Sequence, residues 1–347
     1  MDRKTVLTAL RHPEWWLDRI VGHTLDPADA VVVTGFWRSG TTWVLQSIAR
    51  ALRAKAVFEP LHYNLDGYRN ALLADFQPPL SEEEYLNMYM PYCGRGLSSC
   101  SSFRTYLRSS LTGGVTDPWV RGARMENRRK AGQGSEWKAI EMLYRVREAF
   151  ETDVVTKFVR GHLLIPALRD AYDPVLVHIR RDPRAVMASF HRLGWTWYKN
   201  LSLEDQLLAP NDGRAEYFSK WEEMIRHYEQ SKPLVRVAAY WALVERFVAD
   251  LPERARRIVI SYEDLCLQPE EILTEKVANE IDGIHAKHFG AMSKTTEEGR
   301  VEISKWERVL DWKDVLTESI AEEIARVCKE ASLEDALFQR EKSIKEP

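Results

Sequence analysis

Short runs of apolar, often β-branched residues alternate along the chain with longer segments in which apolar residues recur every three or four positions. The short runs are typical of buried strands, and the longer segments have the spacing of amphipathic helices. The predicted strands cover residues 30–34, 153–157, 175–179 and 257–261. The predicted helices cover residues 41–53, 140–150, 163–171, 183–192, 215–230, 234–250, 270–281 and 314–328. This alternation predicts an α/β fold, a parallel β-sheet flanked by helices on both faces.

The first predicted strand runs into a loop bounded by Gly35 and Gly40, and a helical pattern begins directly after it. The spacing of the two glycines is that of a P-loop, whose backbone N–H groups and helix N-terminus hold a phosphate. The lysine that follows the second glycine of a nucleoside triphosphate P-loop is replaced by Thr41, and the only cation within the loop is Arg38. The loop therefore favours a phosphorylated donor other than ATP.

Three segments resemble the sulfotransferases that use 3′-phosphoadenosine 5′-phosphosulfate (PAPS). Residues 37–43, Trp-Arg-Ser-Gly-Thr-Thr-Trp, resemble the 5′-phosphosulfate loop of that family. Residues 175–189 are similar to its 3′-phosphate element, in which a strand ends in Arg, Asp-Pro follows, and Ser lies eight residues after the Arg. Residues 258–265, with Pro269, are similar to the strand and Tyr-Glu-Asp-Leu turn that close the nucleotide site.

The resemblance implies a P-loop NTPase-like sulfotransferase fold in a single domain over residues 1–347. Its core would cover about 30–312, with a basic insertion at about 94–135 and a helical C-terminal segment at 313–347. The cosubstrate implied is PAPS, with 3′-phosphoadenosine 5′-phosphate (PAP) as the product, and no metal is expected.

The resemblance also implies which side chains hold the nucleotide. Arg38 is the leading catalytic cation, and it would bind the 5′-phosphosulfate together with Ser39, Gly40, Thr41 and Thr42. A fixed guanidinium can stabilise the charge that develops on the departing phosphate oxygen.

Arg181 and Ser189 would bind the 3′-phosphate, with Arg180 as an alternative to its neighbour. Trp43 and Tyr262 match positions that contact the adenine. A C-terminal segment that closes over the 3′-phosphate in the family contributes three candidates, Lys294, Arg300 and Lys305.

An acceptor hydroxyl must lose its proton as the sulfur arrives, so a general base is required. Residues 58–62, Phe-Glu-Pro-Leu-His, resemble the Glu-Pro segment of carbohydrate sulfotransferases, where the Glu is the base, and this favours Glu59. His62 and His162 are alternatives, since His162 follows Lys157 in a segment similar to the Lys-Thr-His region of cytosolic sulfotransferases, although at a longer spacing. Lys157 would act as a positioning cation near the sulfate.

The acceptor is less well specified. Arg38 and the Glu-Pro pair favour a carbohydrate or glycoconjugate hydroxyl, and other small metabolites stay open. Trp195, Trp197 and Tyr198 follow the 3′-phosphate element where family members place acceptor residues, and aromatic walls stack on many ring systems.

Bulk composition excludes some partners. The apolar fraction is 45%, the charged fraction is 29% and the net charge is −3, so no general attraction to nucleic acid or anionic membranes is expected. No segment has the apolar length of a membrane span, and the N-terminus does not have the pattern of a signal peptide.

The four cysteines lack metal-site spacing and favour reduced thiols in the cytoplasm, with a Cys93–Cys100 pair as the alternative. The sequence leaves open whether the chain forms a homodimer.

Residues 94–133 are rich in Gly, Ser and Arg, with eight basic residues against two acidic ones. They are predicted to form a mobile insertion, either simply solvated or a lid over the substrate. Two other functions are alternatives for the whole chain. A P-loop kinase or NTPase lacks its Walker lysine here, and a non-catalytic nucleotide-binding protein would not require a candidate base.

Overall fold

The computed structural model describes residues 21–76, 87–115, 150–253, 256–281, 284 and 309–333 of the chain. Its described strands form one five-stranded parallel sheet in the order β2-β3-β1-β4-β5. The strands are β1 (Val31–Thr34), β2 (Lys55–Phe58), β3 (Val154–Phe158), β4 (Val175–Arg180) and β5 (Arg257–Ser261). The predicted α/β fold is confirmed.

Helices cover both faces of the sheet. The α-helices are α1 (Thr41–Leu52), α2 (Asp66–Asp75), α3 (Ser101–Leu111), α4 (Ile165–Tyr172), α5 (Pro183–Arg192), α6 (Leu203–Leu207), α7 (Ala215–Phe218), α8 (Glu222–Glu229), α9 (Pro233–Ala249), α10 (Tyr262–Leu267), α11 (Pro269–Ile272) and α12 (Glu318–Glu330). Shorter 3₁₀ turns cover Pro27–Asp29, Leu97–Ser99, His162–Leu164, Trp197–Asn200, Ser219–Trp221 and Asp311–Asp314, and a π turn covers Leu273–Val277.

Successive side chains of β1 point to opposite faces of the sheet, where they pack into two separate layers of the core. Val31 and Val33 pack with α1 on one face, whereas Val32 packs on the other face with the apolar side chains of α9. Because β1 is buried on both faces, it is an unbroken β-branched run. Helix α9 is apolar around most of its circumference and is correspondingly buried along its length.

The topology places two loops side by side. Strand β1 leads through α1 to β2 on one side of the sheet, whereas its neighbour β4 leads towards β5 on the other side. Connections that diverge in this way open a crevice at the carboxyl ends of the two strands, where ligands of α/β proteins bind. The glycine loop follows β1 and the Arg-Asp-Pro turn follows β4, so both candidate phosphate elements border this crevice.

Several predicted elements differ from those observed. Strand β2 and helix α2 were not predicted, since β2 is only four residues long and carries a lysine. The helix predicted at 270–281 is replaced by α11 and the π turn, and the one predicted at 215–230 is interrupted by a 3₁₀ turn. The last described helix begins at Glu318 because Thr317 caps it. All but the last residue of the helix predicted at 140–150 lie outside the described residues.

The described part of the predicted insertion contains helix α3. This helix packs Phe103, Leu107 and Leu111 into the core, and each of these side chains is at most 1% exposed. Of the two arginines of α3, Arg104 is exposed and Arg108 is half-buried. Residues 116–135 of the predicted insertion lie outside the described residues.

The cysteines Cys93, Cys100, Cys266 and Cys328 are buried free thiols, so the alternative Cys93–Cys100 pair is not formed. Within the described ranges, no helix combines the length and the apolar character needed to cross a bilayer.

Candidate active site

The loop after β1 ends in a left-handed glycine that starts α1. Gly40 has φ 86°, and its position leaves the first N–H groups of α1 directed at the crevice. A β-carbon at Gly40 would lie 2.4 Å from Cδ2 of Tyr262, so the ring fills the space that any larger residue would need. Ser39 is fully buried, and its Oγ has no hydrogen-bond partner in the described part of the chain. The loop thus presents unused donors at a helix N-terminus.

Arg38 connects this loop to α5. Its Nε donates a 2.8 Å hydrogen bond to Ser189 Oγ, and its guanidinium lies 5.7 Å from the ring centroid of Trp195. Burial, together with the neighbouring Arg181, lowers the pKa of the Arg38 guanidinium. Two residues that the sequence assigned to opposite ends of a nucleotide therefore contact each other here.

The two arginines at the end of β4 point in different directions. Arg181 Nη1 donates to the backbone oxygen of Arg38 at 2.8 Å, and Arg181 Nε is buried without a partner among the described residues. Arg180 Nε instead donates to Glu245 at 3.1 Å. Arg181 is thus the one that faces the glycine loop, whereas Arg180 is held by a buried carboxylate.

The Tyr-Glu-Asp-Leu turn after β5 packs against both loops. The Tyr262 ring contacts Gly40, lies 4.5 Å from the Arg181 guanidinium and meets the edge of Trp43 at 5.9 Å between centroids. The carboxylate of Glu263 accepts a 3.0 Å hydrogen bond from the Asp182 backbone N–H. Burial, followed by the charge of Asp182, raises the pKa of Glu263 to about 7. The three segments with family resemblance therefore form one connected site.

Glu59 and Lys157 form an ion pair beside the glycine loop. Lys157 Nζ donates to Glu59 Oε1 at 2.5 Å and to Thr42 Oγ1 at 2.8 Å, and it lies over the Phe58 ring. Burial acts to raise the pKa of Glu59, but the combined effect of Lys157 and Arg160 holds it below its usual value. Burial lowers the pKa of Lys157, against the attraction of Glu59. Glu59 is therefore an ionised carboxylate at neutral pH, as a general base requires.

The two candidate histidines are in different places. His62 lies one turn after Glu59, and its Nδ1 accepts a hydrogen bond from the Asn64 N–H. Burial, followed by the charge of Arg160, lowers the pKa of His62 to about 4. His162 is 0% exposed and contacts Glu245, Phe36 and His178. His162 is thus enclosed by core residues, with a carboxylate and two rings as its neighbours.

His162 belongs to a buried polar cluster with His178 and Glu245. The ligand atoms of these three residues lie within 4.8 Å of one another, a spacing that suits a metal ion. The same contacts form a balanced network without one, since Glu245 accepts from His178 at 2.9 Å and from Arg180 at 3.1 Å. His178 in turn hydrogen bonds Thr34 at 2.8 Å. The cluster therefore joins the ends of β1 and β4, directly behind the two loops.

Of the aromatic residues predicted to face an acceptor, Trp195 and Trp197 are half-buried, with ring centroids 5.2 Å apart. Trp197 lies 6.1 Å from Trp37 in the glycine loop. Tyr198 is 4% exposed and packs on Phe190, which makes it part of the core. Lys294, Arg300 and Lys305 lie outside the described residues.

Sequence reasoning missed one buried cation of the site. Arg160 lies two residues beyond β3 and is 1% exposed. Its guanidinium carbon lies 5.1 Å from the ring centroid of Trp37 in the glycine loop. Its position just past the carboxyl end of a predicted strand was the available signal.

Residues 28–278 match the family model described as "Sulfotransferase domain", and the chain belongs to this family. The family transfers sulfuryl groups, and the parallel sheet with its glycine loop is the P-loop-like fold expected for it. No curated protein matches the chain.

Three solved structures are similar to the chain at low identity. The "Sulfotransferase Domain from the Curacin Biosynthetic Pathway" is 14% identical, with 86% of this chain and 96% of that chain covered and a TM-score of 0.38. Retinol dehydratase, solved with androsterone and the inactive cofactor PAP, is 16% identical, with 92% of this chain and 85% of that chain covered and a TM-score of 0.35. Sulfotransferase STF9 from Mycobacterium avium is 14% identical, with 93% of this chain and 72% of that chain covered and a TM-score of 0.30.

Proposed function

We propose that the chain transfers the sulfuryl group of PAPS to a hydroxyl of a small-molecule or glycoconjugate acceptor, without a metal ion. The observation that carries the proposal is the contact of three separate segments at one crevice, through Arg38 with Ser189, Arg181 with the glycine loop, and Tyr262 with Gly40.

The polar groups of this crevice fit a ligand with two anionic ends. Ser39 Oγ and Arg181 Nε are buried donors without partners in the described residues, and both lie beside the positive end of α1. Buried polar groups are normally satisfied, so these two point to a ligand that supplies acceptors. Phosphate and phosphosulfate oxygens are acceptors of this kind, and they are held most strongly by charged donors.

Glu59 is the proposed general base. Its carboxylate is ionised and stands beside Lys157, whose Nζ has a third N–H beyond the two that bind Glu59 and Thr42. Lys157 would orient Glu59 and offer that remaining N–H to the transferred group. His62 is the alternative base, because its lowered pKa keeps the imidazole neutral at pH 7.

The half-buried rings of Trp195 and Trp197, which are tilted against each other, offer aromatic surface next to Arg38, and the buried Trp37 packs against Trp197. Such surfaces bind the apolar faces of sugar rings and other flat or cyclic acceptors. The proposed acceptor is a carbohydrate, a glycoconjugate or another small hydroxylated metabolite.

Thermal unfolding with PAP in the presence of EDTA, compared with thermal unfolding with Mg-ATP in its absence, tests the donor. PAP should raise the melting temperature by several degrees at concentrations far above its Kd, and Mg-ATP should not. Transfer of radiolabelled sulfate from PAPS to components of a cell extract tests the reaction. Stabilisation by Mg-ATP but not by PAP would identify a nucleotide triphosphatase, and PAP binding without any transfer would identify a non-catalytic binding protein.

A further inference from the structure

Arg160 is a buried cation with one free side. Its Nε donates to the backbone oxygen of Asn87 at 3.0 Å, and its Nη2 donates to Asn87 Oδ1 at 3.0 Å. Its Nη1 is buried and has no hydrogen-bond partner in the described residues. Both partners of Arg160 are neutral amide oxygens, so hydrogen bonds fix its orientation but do not neutralise its charge.

No carboxylate of the described residues lies within ion-pair distance of Arg160. The acidic residue that interacts with it most strongly is Glu59, which already accepts a 2.5 Å hydrogen bond from Lys157. Arg38, close by, also has no acidic hydrogen-bond partner among the described residues, and it donates to Ser189. The described part of this side of the crevice therefore holds three cations, Arg38, Lys157 and Arg160, and the carboxylate of Glu59, an excess of two positive charges.

A buried guanidinium without a counter-charge is expensive, because it has lost its hydration and gained no ion pair. Such a charge is retained where an anionic ligand pairs with it. Arg160 contacts the glycine loop through the Trp37 ring and otherwise binds Asn87, and it has no described hydrogen bond to Ser39 or Arg181, the two residues with unused donors for the nucleotide. Its influence on the pKa values of Glu59 and His62 places it on the side of the proposed base.

We propose that Arg160 is an anion subsite for the acceptor, and that its Nη1 binds one oxygen of a carboxylate or phosphate group that the acceptor carries near the hydroxyl to be sulfated. This proposal rests on the proposed sulfotransferase function and narrows its acceptor class to hydroxylated anions. Because Nε and Nη2 are committed to Asn87, the contact is single-pronged, and it selects for charge rather than for the planar shape of a carboxylate. Both anion types therefore fit.

Matched pairs of hydroxyl compounds test the proposal. Glucuronate with glucuronamide and 4-hydroxybenzoate with 4-hydroxybenzamide differ in a carboxylate, and glucose 6-phosphate with glucose differs in a phosphate. Binding of each compound to the PAP-loaded protein is measured by calorimetry, and sulfate transfer from PAPS is measured in parallel. The wild type should bind the anionic member of at least one pair about tenfold more tightly or better, the value expected for one charge-assisted hydrogen bond.

Variants show whether Arg160 causes the preference for the anionic member of each pair. Arg160→Gln should reduce the preference to within about threefold of unity, while Arg160→Lys should keep part of it. Arg169→Gln removes another buried arginine, on α4, and should leave the preference unchanged. Stabilisation by PAP must be retained in Arg160→Gln for its result to count, and if this variant does not fold, Arg160→Lys and the wild-type preference decide.

The proposal is wrong if the wild type shows no anion preference in any pair, or if the preference survives in Arg160→Gln. These outcomes differ from failure of the proposed function. Transfer to hydroxyl compounds without an anion preference would retain the sulfotransferase and overturn the subsite. An anion preference lost in Arg160→Gln, with no transfer from PAPS, would retain the subsite and overturn the reaction.

Discussion

Arg38 Nε and Ser189 Oγ, from residues 151 positions apart in the chain, form a hydrogen bond of 2.8 Å across the crevice. The bond joins the loop after β1 to the helix after β4. Arg181 strengthens the same junction, because its Nη1 binds the backbone oxygen of Arg38. The two segments proposed to bind the anionic ends of the nucleotide therefore hold each other in place before any ligand arrives, which lowers the cost of ordering them on binding.

Arg181→Met and Ser189→Ala should both weaken nucleotide binding. Each removes a donor, or the support of a donor, for a phosphate group, and a charge-assisted contact contributes about 1.5–3 kcal/mol. We expect the Kd for PAP to rise about tenfold to a hundredfold in Arg181→Met and less in Ser189→Ala, as measured by calorimetry. Arg226→Gln, at an exposed arginine of α8, is the control. An unchanged Kd in Arg181→Met would remove this residue from the nucleotide site.

Glu59→Gln should abolish most of the reaction and retain the nucleotide. Loss of a general base lowers kcat by about 10²–10⁴-fold. The Kd for PAP should stay within about threefold, because Glu59 is linked to the glycine loop only through Lys157 in the described residues and Lys157 keeps its bond to Thr42. Single-turnover sulfate transfer with saturating PAPS measures the first quantity, and calorimetry the second. Glu222→Gln, on the exposed face of α8, serves as the matched variant. If Glu59→Gln keeps wild-type kcat, His62 becomes the candidate base.

Gly40→Ala should lower the free energy of unfolding by more than the cost of placing an alanine in the left-handed backbone conformation. Alanine at φ 86° costs about 1–2 kcal/mol, and its β-carbon also collides with the Tyr262 ring at 2.4 Å. Gly194→Ala is a matched control, because Gly194 has φ 63° and nothing within 4 Å of the added carbon. Urea unfolding should show the larger loss for Gly40→Ala, accompanied by weaker PAP binding. Equal losses would show that Tyr262 moves aside freely.

Acidification should unfold the protein partly through His62. Its pKa is about 4 in the folded chain and 6.5 in the unfolded chain, so the unfolded state takes up the proton first as the pH falls below 6.5. We expect the wild type to lose about 1–2 kcal/mol more stability than His62→Asn between pH 8 and pH 5, by urea unfolding at each pH. His227→Gln, at an exposed histidine, should follow the wild type. Parallel curves for wild type and His62→Asn would contradict the buried neutral state of His62.

Glu245→Gln should destabilise the fold without a role for metal. The change leaves the buried part of Arg180 without its carboxylate, and breaking one partner of a buried pair costs about 3–5 kcal/mol. Dialysis of the wild type against EDTA should leave the melting temperature unchanged, since the cluster of Glu245 with His162 and His178 is balanced by Arg180. A fall in the melting temperature on dialysis, with metal recovered in the dialysate, would show that the cluster holds an ion.

The sequence predicted the elements whose signals are local. Strand β1 is a β-branched run, Gly35 and Gly40 mark the loop, and Pro183 with Asp182 marks the start of α5, so these elements appear close to their predicted bounds. Helix α3 was missed because its serines and arginines dominate the composition, although Phe103 and Leu107 have the helical spacing of a buried face.

The rest of the site depends on contacts between distant segments. In the sequence, Glu245 is one polar residue in a largely apolar helical segment. Only the packing of α9 on β4 shows that it binds His178 and Arg180. Arg160 likewise gains its meaning from burial and from the absence of a described carboxylate partner, and neither property is visible in the order of residues.

The packing of Tyr262 on Gly40 has a consequence for synthesis of the chain. The tyrosine emerges from the ribosome long after the glycine loop, yet its ring is one wall of that loop. A nascent chain that stops short of β5 would have the loop's residues but not its shape. The ability to bind the proposed nucleotide should therefore arise late in translation, when the turn after β5 packs on the loop.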